Sequence, residues 1–168
     1  MESMEEKRKP KVYVETSVIS NLTARPSHNP VDAAMQIATA SWWYYAPRKF
    51  NLFGSQLVLD EAARGDAIAA GRRLQIAAEL TALPIDERIV ALAEKLLGAT
   101  AVPHSNYDDA VHIATAAVHG MDYLVTWNCR HIANVYTKPL IYRCCLASGF
   151  KSAEICTPPE MEGDDENV

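Results

Sequence analysis

The stretch that decides the fold occupies residues 105–134 and reads SNYDDAVHIATAAVHGMDYLVTWNCRHIAN. Small and apolar residues recur in its first half at helical spacing, and Gly120 then ends the predicted helix. We expect Ser105 to cap this helix, with Asp108 three residues on completing a capping box. The short apolar run at residues 123–125 is typical of a strand that is covered on both faces. The stretch therefore predicts a helix, a turn and a buried strand, followed by a polar loop.

Two polar residues of this stretch stand where α/β proteins commonly bind ligands. Asp109 lies in the first turn of the predicted helix, and Asn128 lies just beyond the predicted strand. Ligands of open parallel sheets bind at the carboxyl ends of the strands. Asp109 and Asn128 are therefore candidate members of one site.

The rest of the chain alternates in the same way between strands and helices. Further strands are predicted at residues 11–15, 50–53 and 153–156. Residues that commonly cap helices precede the periodic apolar segments, at Asn29, Ser55, Asp66 and Asp86. Strands and helices that alternate through short connections predict an α/β fold, with a parallel sheet and helices on both of its faces.

We predict one domain, at residues 11–157, between two charged ends. Residues 1–10 are a charged N-terminal extension without an apolar segment, so we expect no signal peptide. Residues 158–168 carry five acidic and no basic side chains, and we expect them to form a disordered tail. Without this tail the chain has 16 acidic and 16 basic side chains, so its net charge neither favours nor excludes a polyanionic partner.

The composition is typical of a soluble globular protein, with 49% hydrophobic and 22% charged residues. No apolar run is long enough to cross a membrane. The four cysteines show no Cys-x-x-Cys spacing, which argues against a structural zinc site or a disulfide framework. Reduced thiols in a cytoplasmic protein are the simpler interpretation.

Three carboxylates, Glu15, Glu61 and Asp109, lie near strand ends or helix starts in separate parts of the chain. A parallel sheet would gather them, together with Asn128, at one edge. Carboxylates held close together repel one another unless a cation lies between them, and oxygen ligands favour Mg²⁺ or Mn²⁺. Acidic residues at such positions are also common as helix caps, so spacing alone leaves both interpretations open.

Four segments resemble, in order, the motifs of PIN-domain nucleases. They read VYVETSVIS at 12–20, QLVLDE at 56–61, DDAVHIATA at 108–116 and DYLVTWNCRHIAN at 122–134. The similarity covers roughly residues 11–156 and is closest to the VapC-type toxins of bacterial toxin–antitoxin pairs. It implies a three-layer α/β/α sandwich with a central, mainly parallel sheet. It also implies the hydrolysis of RNA phosphodiesters with Mg²⁺ or Mn²⁺, which leaves 5′-phosphate and 3′-hydroxyl ends.

The resemblance also implies roles for individual residues. Glu15, Glu61 and Asp109 match the acidic metal ligands of the family, and Asn128 matches a fourth position that holds a water or a ligand. The hydroxyl residues Thr16, Ser17 and Thr126 match positions that support the site. Two residues depart from the common pattern. Glu15 is one methylene longer than the usual Asp, and Asn128 adds no charge to the site.

Other functions remain open beside the nuclease. A non-catalytic PIN-like module that binds RNA or protein is the first alternative. A phosphatase-like hydrolase is disfavoured because Glu15 stands where its Asp nucleophile would be expected. A nucleotide-binding domain is disfavoured because the chain has no glycine-rich phosphate-binding motif. His112 and His119 could bind a metal together, but we favour His112 as a packed, hydrogen-bonded residue beside the core.

A cluster of aromatic residues predicts a surface for partners. The helix predicted at residues 30–46, which we expect Pro47 to end, has an apolar face made of Val31, Ala34, Met35, Ala38, Trp42 and Tyr45. Trp43 and Tyr44 lie off this face, so at least one large ring should point outward. The resemblance implies a small antitoxin protein or a second copy of the chain as the partner. Packing against residues 48–53 of the same chain is the alternative.

Overall fold

A five-stranded, all-parallel sheet forms the centre of the computed structural model, which describes residues 8–162. The central strand, β1, pairs with β2 on one side and β4 on the other, so that Tyr13 lies opposite Phe53 and Leu124. The order across the sheet is β3-β2-β1-β4-β5. The strands are β1 (Lys11–Val14), β2 (Asn51–Ser55), β3 (Thr81–Leu83), β4 (Tyr123–Val125) and β5 (Glu154–Cys156).

Helices flank this sheet, which confirms the predicted α/β class and the parallel arrangement of the strands. In the described residues they are α1 (Thr16–Thr23), α2 (Pro30–Lys49), α3 (Gln56–Ala62), α4 (Ala67–Ala77), α5 (Glu87–Gly98), α6 (Tyr107–Val118) and α7 (Lys138–Ala147). α6 is the most buried of them, with every residue from 110 to 117 buried. It packs against α5, whose inward face is Ile89, Leu92, Ala93 and Leu96.

The predicted helix starts at Asn29, Ser55, Asp66 and Asp86 are confirmed as N-caps. Each side chain accepts a hydrogen bond from a backbone N–H in the first turn of its helix, as Asn29 Oδ1 does from Val31 at 2.9 Å. Gly120 has a φ of 64° immediately after α6, a left-handed conformation that glycine adopts without a steric penalty.

The predicted cap at Ser105 is wrong. α6 begins at Tyr107, and its N-cap is Asn106, which makes no side-chain capping bond. The Ser105 hydroxyl instead donates to Asn106 Oδ1 at 2.9 Å, because the helix starts too late for Ser105 to reach its free N–H groups. Asp108 lies 3.6 Å from Arg64 across an exposed ion pair, so it does not complete a capping box.

Two predictions about α2 are also wrong. The helix continues past Pro47 to Lys49, and the N–H of Phe50 still bonds to the carbonyl of Ala46 at 2.9 Å. A proline in the last turn removes one helical N–H but leaves the turns before it intact. The predicted apolar face is not buried along its length, since Val31 is 68% exposed. The buried residues are Thr39, Trp42 and Ala46, because only the second half of the helix packs on the core.

The predicted disordered tail begins with an ordered segment. Pro158–Met161 form a 3-10 helix, in which Pro158 is buried and Met161 packs against the core. Thr157 and Glu160 form a capping box at its start. Residues 163–168 of the predicted tail lie outside the described residues, as do residues 1–7 of the predicted N-terminal extension. Within the part of the chain that is described, every helix is too short or too polar to span a lipid bilayer.

Candidate functional site

The side chains of the site converge at the carboxyl edge of the sheet, around the central strand. Glu15 follows β1 directly and is the N-cap of α1. Ser55 ends β2 and caps α3, the helix that carries Glu61. Thr126 follows β4. Since β1 lies between β2 and β4, the strand order reverses here, and open α/β sheets bind ligands at such a point.

Glu15 is 5% exposed and is held by one residue of the first turn of α1 and one that follows β4. One carboxylate oxygen accepts a hydrogen bond from the Ser17 N–H at 3.1 Å. The other accepts from the Thr126 hydroxyl at 2.7 Å and, in a very short contact, from the Ser17 hydroxyl. Ser17 and Thr126 were predicted to support the site, and both contact Glu15.

Glu61 approaches Glu15 from α3. Its Oε1 accepts a hydrogen bond from the Thr16 hydroxyl at 2.6 Å and lies 2.6 Å from His112 Nε2. Thr16 therefore contacts the second carboxylate in the way that Ser17 contacts the first. The two acidic residues are oriented by neighbouring hydroxyls of the same helix start.

His112 joins the two carboxylates to the interior of the protein. Its imidazole is buried, and Nδ1 lies 2.8 Å from the Tyr13 hydroxyl, which in turn lies 2.8 Å from Ser55 Oγ. His112 is thus packed and hydrogen-bonded, as its position beside the apolar face of α6 indicated. Its contact with Glu61 was not predicted. The available signal was its spacing, because His112 lies three residues after Asp109 and on the same side of the helix.

The charges of this group are coupled. Burial opposes a charge on His112, but its hydrogen bond to Glu61 and the neighbouring carboxylate charges raise its pKa above the usual value. Burial also opposes a charge on Glu61, yet the hydrogen bond and charge of His112 and the bond from Thr16 lower its pKa. Burial raises the pKa of Tyr13, so its hydroxyl stays protonated. His112 and Glu61 therefore stabilise each other as an ion pair.

The donor set fits a divalent cation. One ligand atom from each of Glu15, Glu61 and His112 lies within 4.8 Å of the others. Two carboxylate oxygens and an imidazole nitrogen are all ordinary ligands of divalent ions. The hydroxyls that hold the two carboxylates are contacts of the kind that orient ligands in metal sites. Of the predicted metal ligands, the structure brings Glu15 and Glu61 into this group.

Asp109 and Asn128 meet through a residue that the sequence did not single out. Asp109 Oδ2 lies 3.0 Å from His131 Nδ1, and the His131 N–H donates to Asn128 Oδ1 at 3.0 Å. The Asn128 N–H also donates to Thr126 Oγ1 at 2.9 Å. Asp109 is therefore outside the closest donor group, and the Asn128 side chain holds the loop after β4. Their predicted roles at the metal remain predictions.

The two aromatic residues predicted to bind a partner differ in their surroundings. Tyr44 is 78% exposed, and the Arg48 guanidinium lies 5.1 Å from the centre of its ring. Trp43 is half-buried, packs against the core and makes an edge contact with Trp42, with 6.0 Å between the ring centres. Trp43 thus packs within its own chain, against Trp42 and the core, whereas the ring of Tyr44 faces outward.

A protein-family model described as the PIN domain matches residues 12–136, which include every carboxylate and histidine of the site. No curated protein and no solved structure matches the chain.

Proposed function

The chain belongs to the PIN-domain family, and we propose that it is an endoribonuclease that needs Mg²⁺ or Mn²⁺. PIN domains are generally nucleases that depend on divalent metals. The observation that carries the proposal is the convergence of Glu15 and Glu61, which come from different helices and meet at the carboxyl edge of the sheet beside His112. Two carboxylates placed this close favour a cation between them.

The proposal assigns a role to each carboxylate of the site and to the hydroxyls that contact Glu15 and Glu61. Glu15 and Glu61 hold the cation, and the hydroxyls of Ser17, Thr126 and Thr16 keep their carboxylates in place. A cation bound there would stabilise charge on the phosphate and activate a water molecule. Asp109 adds a third carboxylate at the start of α6, close enough for its charge to act on His112.

The loop after β4 contributes the remaining residues of the proposed site. The Asn128 side chain accepts a hydrogen bond from the His131 N–H, and the His131 ring contacts Asp109, so the three residues hold one another in place. We propose that these three residues position the scissile phosphate and the water near it. Positioning of this kind contributes much of the rate in phosphoryl transfer.

The nuclease proposal is tested with purified protein and a single-stranded RNA. We expect cleavage with Mg²⁺ or Mn²⁺, no cleavage with a chelator, and products that carry 5′-phosphate ends. Glu15→Gln and Glu61→Gln keep the size of the side chain but remove its charge, and both should abolish cleavage. Glu94→Gln, on the exposed face of α5, is the matched control and should cleave like the wild type.

Two outcomes would contradict parts of the proposal. Cleavage that survives the chelator, or survives in Glu15→Gln, would exclude the proposed metal site. RNA binding without cleavage under any metal condition would favour the alternative of a non-catalytic binding module. A single-stranded DNA of the same sequence tests the proposed preference for RNA.

We further propose that the protein is the toxin of a type II toxin–antitoxin pair and acts on RNA in the cytoplasm. The exposed part of α2 supports a protein partner, because Ile37 and Tyr44 lie seven residues apart on one face and are 71% and 78% exposed. A small antitoxin, or a second copy of the chain, would cover this face. Expression in a bacterial host should arrest growth, and Glu15→Gln should not. Normal growth with active nuclease present would contradict the toxin role.

A further inference from the structure

We infer that His112 is itself a ligand of the metal, so that the site binds a first-row transition ion such as Mn²⁺ in preference to Mg²⁺. This inference rests on the proposed function for the presence of a cation, and it adds a nitrogen donor to a site otherwise made of carboxylates. Three observations carry it: the positions of the donor atoms, the support of the imidazole, and the pairing of Asp109 with another residue.

The donor atoms are close enough to share one ion. His112 Nε2 lies 2.6 Å from Glu61 Oε1 and 3.9 Å from Glu15 Oε1. Ligands at ~2.1 Å from one ion lie about 3 Å apart when adjacent and ~4.2 Å apart when opposite. The contact of His112 with Glu15 falls inside this range, and a small rotation of Glu61 would bring the other contact into it.

The His112 imidazole has the kind of hydrogen-bond partner that metal-ligating histidines usually have. Ligating histidines usually donate their second ring N–H to a neighbouring oxygen, which fixes the tautomer and the ring orientation. His112 Nδ1 has such a partner in the Tyr13 hydroxyl, 2.8 Å away. The Tyr13 hydroxyl in turn lies 2.8 Å from Ser55 Oγ. With the N–H on Nδ1, the lone pair of Nε2 points at the two carboxylates.

The hydrogen bond between His112 and Glu61 does not exclude a metal at the same nitrogen. His112 Nε2 and Glu61 Oε1 lie 2.6 Å apart, which is a hydrogen-bond distance. A histidine binds a metal through a deprotonated ring nitrogen, so an ion at Nε2 would take the place of the hydrogen there.

Asp109 has a partner that competes with direct ligation. Its Oδ2 lies 3.0 Å from His131 Nδ1, at the outer edge of the site. His112 stands one helical turn further along α6 and is fully buried. The third donor that the fold places closest to Glu15 and Glu61 is thus His112.

A nitrogen ligand changes which ions the site prefers. Imidazole binds first-row transition ions well, whereas Mg²⁺ takes oxygen ligands and retains several of its waters. A site made only of carboxylates would discriminate little between Mg²⁺ and Mn²⁺. We therefore expect the wild type to bind Mn²⁺ at least about tenfold more tightly than Mg²⁺.

The direct test is pulsed electron paramagnetic resonance on the wild-type protein loaded with Mn²⁺. A directly bound imidazole gives a ¹⁴N hyperfine coupling, which must change to the ¹⁵N pattern when the protein is made with ¹⁵N-histidine. This measurement needs no variant, so it does not depend on how well a substituted core folds. A Mn²⁺-loaded protein without nitrogen coupling, or a protein that binds no Mn²⁺ at all, would overturn the inference.

Variants then identify the histidine. His112→Gln should lose the nitrogen coupling and bind Mn²⁺ at least about tenfold more weakly, with a smaller loss for Mg²⁺. His131→Gln and His119→Gln are the matched controls, and both should keep the coupling. His119 is the C-cap of the same helix, but its ring bonds to the Pro84 carbonyl, at 2.8 Å, outside the site. Coupling that persists in His112→Gln, or that disappears in His131→Gln, would contradict the assignment.

The test also separates this inference from the proposed nuclease function. RNA cleavage is measured on the same samples with Mn²⁺ and with Mg²⁺. Nitrogen coupling without cleavage would leave the ligand assignment intact and contradict the nuclease. Cleavage without nitrogen coupling would leave the nuclease intact and show that His112 only orients Glu61.

Discussion

The imidazole of His112 lies 2.8 Å from the hydroxyl of Tyr13, although 99 residues separate the two along the chain. Both side chains are buried, so their contact connects the central strand, β1, to α6, the most buried helix. The other ring nitrogen of His112 contacts Glu61 at the site. Fold stability and the geometry of the site therefore depend on the same pair.

Tyr13→Phe should destabilise the protein. The substitution keeps the ring but removes the hydroxyl that bonds to His112 Nδ1 and to the Ser55 hydroxyl, and leaving a buried polar group unsatisfied costs about 1–3 kcal/mol. Chemical denaturation would measure the difference in unfolding free energy. Tyr44→Phe is the control, because that ring is exposed. Equal stability of the two variants would show that the buried hydrogen bonds contribute little.

Binding of a divalent ion should stabilise the folded protein. A ligand present at a hundred times its dissociation constant, and bound only by the folded state, adds about 2.7 kcal/mol. We expect Mn²⁺ to raise the melting temperature of the wild type and of Glu94→Gln, and to leave that of Glu15→Gln unchanged. An equal increase in all three would place the ion elsewhere on the protein.

The adjacent acidic residues of α6 should differ in their effect on activity. Asp109→Asn should lower cleavage at least about a hundredfold, because it removes a charge beside the cation and weakens the contact with His131. Asp108→Asn should change cleavage little, since its ion pair with Arg64 is exposed and such pairs contribute about 0–1 kcal/mol. The reverse order would mean that Asp108 faces the site.

Substitutions of the two aromatic residues of α2 should have different effects, with Trp43→Ala lowering stability and Tyr44→Ala weakening association. Trp43→Ala should lower the unfolding free energy by about 2 kcal/mol, because the ring is half-buried against the core. Tyr44→Ala should leave stability within about 0.5 kcal/mol and weaken association with an antitoxin or a second copy. Thermal melting and sedimentation measure the two effects. Unchanged association in Tyr44→Ala would exclude this residue from the partner surface.

The C-terminal 3-10 helix should make stability depend on pH through Glu160. Burial opposes the charge of Glu160, but hydrogen bonds from the N–H and hydroxyl of Thr157 lower its pKa. A carboxylate whose pKa is lower in the folded state stabilises the protein above its unfolded pKa, and this contribution is lost as the pH falls. The difference in melting temperature between wild type and Glu160→Gln should therefore shrink between pH 7 and pH 4. A difference that stays constant over this range would contradict an ionised, hydrogen-bonded Glu160.

Local patterns predicted the order and type of the elements well. Short apolar runs and periodic segments identified four of the five described strands and most helices, and the caps at Asn29 and Asp86 set where helices begin. These features depend on residues within a few positions of one another, so they can be read from the chain directly. The helix boundaries predicted at Ser105 and Pro47 were wrong. At these two positions the surrounding structure, and not the local sequence, determined where the helix begins or ends.

The sequence also predicted that Glu15 and Glu61 lie close together, and the structure places them so. Glu15 follows β1 directly, as local patterns indicated, but Glu61 lies in the last turn of α3 and not at a helix start. Its position beside Glu15 therefore depends on how that helix packs. The contacts of His112 and His131 were decided by the tertiary structure. Helical spacing gives the direction in which His112 points, but its partners Glu61 and Tyr13 lie 51 and 99 residues away and come from other elements. The sheet order and the packing of α6 bring those three side chains together, and no local pattern specifies that meeting.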